Sequence, residues 1–271
     1  MSGIAIGDSG GAGVPLLCLH GIGSSGAAFD AITPMLAGRL RVLAWDAPGY
    51  AASADPEGPP GMDGYADAAV AVLDDLGIRR AHVLGVSWGG VIATRIALRH
   101  PERLGSLILA DSTRGSGAAP EKAAAMRARG AELAEVGPAA FARRRAARLL
   151  SPAATEAQVT RVAEAMAAAI RMPGYGYAAD SMAATDHGPR LAEVRARTLV
   201  LVGEHDAVCP PAESRLIAGA VPGARYAEIP AAGHLSNQET PEAFADSVRD
   251  FLNAAGDLLD AARNVLKEGE F

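Results

Sequence analysis

Apolar positions in this chain come in short runs separated by glycine-rich turns or by helical patterns. Val14–Leu19, 41–45, 81–84 and Leu104–Ala110 are such runs, and 198–202 and Arg225–Ile229 continue the series. Continuous apolar runs of this length, bounded by turn residues, suit strands covered on both faces of a parallel sheet. Ile4 to Ile6 reads as part of an earlier strand. Between the runs, apolar residues recur at helical spacing. Residues 65–76 place Val70, Leu73 and Leu76 on one face and stop at Gly77. Residues 27–36 read as a helix that Pro34 must bend or end, and 91–99 and 212–220 are helical as well. A last core helix is expected over 242–252, with Thr240 as N-cap and Pro241 in its first position. The alternation fails only between Pro120 and Ala184, where 121–136, 138–150 and 155–172 are Ala-rich helical segments with no strand among them. The pattern therefore predicts an α/β fold: a mostly parallel sheet with helices on both faces and an inserted helical cap. The expected division is a core in two parts, 1–112 and 191–271, around a cap over 113–190. Beyond the core, Leu258, Leu259, Ala262, Val265 and Leu266 make one face of a helical tail over 257–267, suited to packing on the core or on a partner chain.

Composition narrows the function without choosing it. Of 271 residues, 49% are hydrophobic, enough for a sizeable core, and the net charge of −6 argues against an electrostatic nucleic-acid binder. Two cysteines, Cys18 and Cys209, make a disulfide framework an unsuitable reading. Residues 1–13 hold no apolar core of signal-peptide length, and no run approaches transmembrane length. A cytoplasmic protein acting on a small molecule, with no membrane or nucleic-acid partner and as a monomer or homodimer, is the expectation. No His/Cys spacing fits zinc, and no dinucleotide or Walker pattern stands in its proper context, so neither metal nor cofactor is expected.

The chemistry gathers at the ends of the apolar runs. Gly85-Val86-Ser87-Trp88-Gly89 follows a strand and opens a helix. A Ser on so tight a turn crowds the residues two before and two after it, and glycine avoids the clash. The hydroxyl then stands above free amides at a helix start. A Ser hydroxyl needs a base, normally a His held by a carboxylate. Of six histidines, His234 follows the last strand and is the best placed; His82 lies at the wrong end of its strand and His100 at a helix end. Two carboxylates compete for the acid, Asp206 and Asp111. Asp206 is preferred because it precedes the His in the usual chain order, and Asp111 stays the alternative, otherwise capping the turn into the cap. An oxyanion would be held by the backbone N–H of Trp88 and by that of Ile22, with Gly23 the alternative to Ile22. His20, Gly21, Tyr175 and Arg144 are candidate substrate-pocket residues. Arg144 and Arg148 share a helix face, which suits recognition of a carboxylate but more commonly is a solvated surface.

Together, His20-Gly21, Asp46-x-Pro48-Gly49, the Ser87 pentapeptide, Gly203-Glu204-x-Asp206 and Gly233-His234 resemble the α/β-hydrolase fold family along nearly the whole chain. Gly233-His234-Leu235-Ser236-Asn237, Pro241-Glu242-Ala243-Phe244 and Gly176-Tyr177-Ala178-Ala179 are most similar to the 3-oxoadipate enol-lactonase-like hydrolases. The resemblance implies that Ser87, Asp206 and His234 form a triad acting on an ester or lactone. It also sets aside the haloalkane dehalogenases and epoxide hydrolases, which carry an Asp at the Ser87 position. After Asp46 the chain departs from the Arg-Gly-His-Gly of many relatives, having Ala47-Pro48-Gly49-Tyr50. The same triad also suits hydrolysis of a carbon–carbon bond in a dienoate or β-diketone, and a non-catalytic ligand receptor is the reading from another class.

Overall fold

The computed structural model describes residues 3–254. Seven strands, β1 (Ile6–Asp8), β2 (Val14–Leu19), β3 (Leu40–Trp45), β4 (Ala81–Val86), β5 (Leu104–Ala110), β6 (Thr198–Gly203) and β7 (Arg225–Ile229), form one sheet in the order β1-β3-β2-β4-β5-β6-β7. Every pairing is parallel except that of β1 with β3. After β3 the chain crosses back over β2 to reach β4, so the strand order reverses there. Such a reversal opens a crevice beyond the carboxyl ends of the strands.

Period-two alternation gives the sheet two cores. Leu17, Leu19, Leu43, Trp45, Val83, Leu107 and Leu109 face one side, under α2 (Gly61–Asp75) and α3 (Trp88–Arg99). Leu16, Cys18, Val42, Leu84, Val86, Ile108 and Leu201 face the other, under α1 (Thr33–Leu36) and α9 (Pro241–Asn253). Helix α9 buries Phe244, Val248, Phe251 and Leu252, each such side chain contributing about 1.5–3 kcal/mol relative to exposure.

Between β5 and β6 lie α4 (Pro120–Ala146), α5 (Glu156–Ala169) and α6 (Gly174–Ala183). They pack on one another, and α6 also packs on α2. Helix α4 is two arms, 120–136 and 138–146, because Gly137 takes φ 74°, ψ 164° between them. Helix α5 opens on a capping box: Thr155 Oγ1 accepts the N–H of Gln158 at 3.3 Å, and Gln158 Oε1 accepts the N–H of Thr155 at 2.8 Å. The helical segment is tied to the core at Arg171, which donates to the carbonyls of Ala51 (2.9 Å) and Ser53 (2.5 Å) and to Asp55 (3.0 Å). The indole N–H of Trp88 donates to Ser181 Oγ at 3.1 Å, a second tie. The remaining helices are α7 (Pro211–Ala220), after β6, and the short α8 (Ser236–Glu239), after β7.

Several expectations are corrected. Residues 27–36 form no single helix but a 3-10 turn, Gly26–Phe29, and then the short α1, with Pro34 in its first turn. Proline has no N–H to carry a helix through from the preceding turn. The first strand is Ile6–Asp8, shifted by two residues. Helix α2 begins at Gly61, four residues before the start that the apolar pattern over 65–76 predicts. Thr240 stands at the N-cap position of α9, yet its hydroxyl donates to the Ser236 carbonyl at 3.3 Å and caps nothing. Helix α6 is a separate helical element that the Gly-rich spacing around Gly174 and Gly176 did not delimit. The tail over 257–267 lies outside the described residues. Among the described residues no helix is long and apolar enough to cross a membrane.

Candidate active site

Strand β4 delivers Ser87 on a backbone of φ 54°, ψ −117°, and α3 starts at the next residue. A side chain rarely takes that conformation, so the surroundings must hold it. A Cβ on Gly85 would collide with the Gly89 carbonyl, and one on Gly89 with the Leu19 carbonyl. The turn is thus possible only with glycine at both positions. The next strand edge holds it from outside. Ser87 N–H donates to the Ala110 carbonyl at 2.8 Å, and Ser112 Oγ donates to the Ser87 carbonyl at 2.8 Å.

His234 and Asp206 arrive from the loops after β7 and β6. His234 Nδ1 lies 2.8 Å from Asp206 Oδ2, and Nε2 lies 3.0 Å from Ser87 Oγ. An ionised carboxylate only accepts, so Nδ1 carries the proton and Nε2 is left to accept from the hydroxyl. Asp206 Oδ1 takes the N–H groups of Val208 (2.7 Å) and Cys209 (2.8 Å), which fixes the carboxylate's orientation. Burial alone would push the His234 imidazole's pKa down. The hydrogen bond and charge of Asp206, with the charge of Asp111 behind it, hold it above its ordinary value instead.

Asp111, the alternative acid, does not reach the imidazole. Its Oδ1 accepts the N–H of Gly203 (2.8 Å), and its Oδ2 accepts the N–H and hydroxyl of Ser236 (3.3 and 2.6 Å). It is fully buried, and burial pushes its carboxyl up to about 7.

Gly21 lies against Ser87: a Cβ built on it would be 3.3 Å from the Ser87 Cβ. The loop that carries it is braced. His20 Nδ1 donates to the Gly21 carbonyl (2.8 Å), and its Nε2 accepts the Ala47 N–H (2.9 Å). Tyr50 donates its hydroxyl to the Ile22 carbonyl at 2.7 Å. Tyr50 is part of the departure from the Arg-Gly-His-Gly pattern, and here it locks the loop beside Ser87. The backbone N–H groups of Ile22 and Trp88 make no hydrogen bond to any described residue.

A cavity of about 370 Å³ stands over Ser87 and His234. Gly21, Ile22, Tyr175 and Arg144 line it, as do Arg145, Arg148, Arg129 and Glu132. His20 does not: it is fully buried, both ring nitrogens are spent on backbone, and burial lowers its pKa to about 4. That corrects its assignment to the pocket. Trp88 is equally enclosed, edge-on to Tyr65 at 4.7 Å. Arg144 and Arg148 remain solvent-exposed, as the surface reading expects, yet with Arg145 they also form part of the cavity wall, Arg144 and Arg145 from the second arm of α4 and Arg148 from the 3-10 turn after it. Glu132 binds Arg145 through both oxygens (3.1 and 2.6 Å) and Arg144 more loosely at 3.4 Å, while Arg145 lies 3.7 Å over the Phe141 ring. Arg148 has no carboxylate partner among the described residues. Arg129 and Glu132 escaped sequence reasoning. Their signal was the break at Gly137, which folds the first arm of α4 back beside the second. No group of three His, Cys, Asp or Glu among the described residues is placed to hold a metal ion.

Comparison with known proteins agrees with this geometry at the level of the fold. The model of the alpha/beta hydrolase fold matches residues 14–241. The chain is 32% identical over 264 residues to 2-hydroxymuconate semialdehyde hydrolase of Pseudomonas sp. strain CF600, covering 90% of this chain and 89% of that one. It is 29% identical over 210 residues to 3-oxoadipate enol-lactonase 2 of Acinetobacter baylyi, covering 76% of each. Among solved structures, a thermophilic esterase of Thermogutta terrifontis superposes with a TM-score of 0.85 at 28% identity, covering 93% of both chains. With its parallel sheet, its serine turn after β4 and a match over most of its length, the chain belongs to the alpha/beta hydrolase fold family.

Proposed function

We propose that the protein is a cofactor-independent serine hydrolase that cleaves a carboxylic ester or lactone. One observation carries the reading: His234 bridges Ser87 Oγ and Asp206 Oδ2 within hydrogen-bond distance on both sides. In this reading His234 Nε2 takes the hydroxyl proton as Ser87 attacks the carbonyl. Asp206 holds the ring and stabilises the imidazolium. The N–H groups of Ile22 and Trp88 receive the oxyanion, and their lack of a partner among the described residues suits them to it. The imidazolium gives its proton to the leaving alkoxide, an acyl-enzyme remains, and water activated by the same imidazole releases the acid.

Residues 113–190 act as the cap that closes over the acyl group. Four arginines against one glutamate on the cavity wall favour a substrate that bears a carboxylate as well as the scissile bond. A carboxylate-bearing ester turned over no faster than its neutral analogue would remove that preference. Short p-nitrophenyl esters test the reaction itself: Ser87→Ala is expected to lower kcat by at least about 10³-fold, and unchanged turnover sinks the proposal. The 32%-identical semialdehyde hydrolase supports a second reading, hydrolysis of a carbon–carbon bond by the same three residues. Assaying lactones beside vinylogous diketones separates the two.

A further inference from the structure

One three-residue segment holds the Ser87 turn and both loops that carry Asp206 and His234. At the end of β5, the Ala110 carbonyl takes the Ser87 N–H and the Ser112 hydroxyl holds the Ser87 carbonyl. Between them, Asp111 is bent to φ 49°, a conformation that favours glycine. The bend is fixed behind by its N–H, which donates to the Leu201 carbonyl at 2.9 Å. One oxygen of the Asp111 carboxyl takes Gly203 N–H, three residues before Asp206. The other takes the N–H and hydroxyl of Ser236, two residues after His234. No described side chain from outside these two loops, Asp111 apart, hydrogen-bonds both.

We propose that Asp111 is a positioning residue for the triad: a second buried carboxyl that clamps the Asp206 loop to the His234 loop and lends its negative charge to the imidazolium formed during turnover. The inference rests on the serine hydrolase reading above. The three hydrogen bonds join two separate loops, and a neutral Asn cannot reproduce them, because its amide nitrogen cannot accept an N–H. The charged and titratable groups that face Asp111 are His234, Asp206 and Cys209; those that face His234 are Asp206, Asp111 and Arg129. Burial pushes the Asp111 carboxyl up to about 7, and a positive charge on His234 opposes that shift, so formation of the imidazolium favours the ionised carboxylate. Removing that charge lowers the proton affinity of His234, so the acid limb of the rate profile moves to lower pH.

The test compares wild type with Asp111→Asn on a short p-nitrophenyl ester across pH. The expected result is a kcat lower by about 10- to 100-fold, a KM little changed, and a kcat/KM acid limb displaced to lower pH. A merely structural role would scale the profile without moving its limb, and an unmoved limb overturns the proposal. Should Asp111→Asn fail to fold, Ser236→Ala removes one donor, keeps the carboxyl neutral to higher pH and is expected to move the limb the same way by less; an unmoved limb there counts equally against it. The His234 Nδ1 proton, titrated by NMR in Ser87→Ala with and without Asp111→Asn, gives the same answer without turnover. If Ser87→Ala retains full hydrolysis, the reading above falls, while this titration still decides the coupling of Asp111 to His234.

Discussion

At the scale of single residues, the site depends on which side of His234 carries the proton. Asp206 sets this by accepting from Nδ1 while its other oxygen is pinned by two backbone N–H groups. Asp206→Asn keeps the volume but offers an amide that can donate, which stabilises the tautomer whose Nε2 bears the proton. That tautomer cannot accept from Ser87. The expected loss in kcat is about 10³- to 10⁴-fold with the melting temperature little changed, read from initial rates beside a thermal scan. That Ser87, Asp206 and His234 come together was legible in the sequence because each sits in a short local signal at a strand end. Asp111 was visible as a carboxylate but not in its role. Its partners come from 92 and 125 residues further along the chain, and no spacing rule spans such distances. The place of Arg144 and Arg148 at the cavity rim was hidden for a related reason. Charges on a helix face water by default, as Arg144 and Arg148 do, and only the break at Gly137 brings that solvated face to the mouth of the cavity.

At the scale of elements, the strand–turn–helix around Ser87 tolerates little, whereas the break in α4 tolerates more. Gly85→Ala drives a methyl group into the backbone of Gly89 in a fully buried turn. The expected cost exceeds about 3 kcal/mol, seen as a lower urea midpoint or as loss of folded protein. Gly137→Ala meets open space and costs only its positive-φ, extended-ψ backbone, about 1–3 kcal/mol. Equal midpoints for the two variants would contradict this ranking. Strands were the most legible elements, their apolar runs matching β2, β5 and β7 to the residue. Helix starts were less legible. The onset of α2 at Gly61 rests on tertiary packing, and the Thr240 hydroxyl was drawn away to a neighbouring carbonyl.

At the scale of the molecule, a buried carboxyl with a raised pKa makes stability depend on pH in a defined sense. Asp111 titrates near 3.8 when unfolded and at about 7 when folded. Its contribution is fully present below the unfolded value and is lost as pH rises through the folded one, because the native state must then carry an enclosed charge. An Asn at this position forfeits hydrogen bonds at every pH but never carries that charge. The melting-temperature deficit of Asp111→Asn is therefore expected to be larger at pH 5 than at pH 8, by calorimetry at both; the reverse order would contradict the assignment. The architecture itself was legible in outline, since a parallel sheet interrupted by one helical stretch follows from the alternation alone. The edge strand β1 was legible only as a strand beginning near Ile4; its register and its antiparallel direction were not, because three largely exposed residues carry no pattern of their own.

The tie between Trp88 and Ser181 has a practical consequence. The chain has two tryptophans, and Trp88 stands directly after Ser87 while its indole N–H is held by a residue of the segment that covers the cavity. With Trp45 replaced by Phe, the intrinsic fluorescence of the protein comes from a single indole at that junction. Such a variant reports optically, in real time and without any label, whether the helical segment is seated on the Ser87 turn.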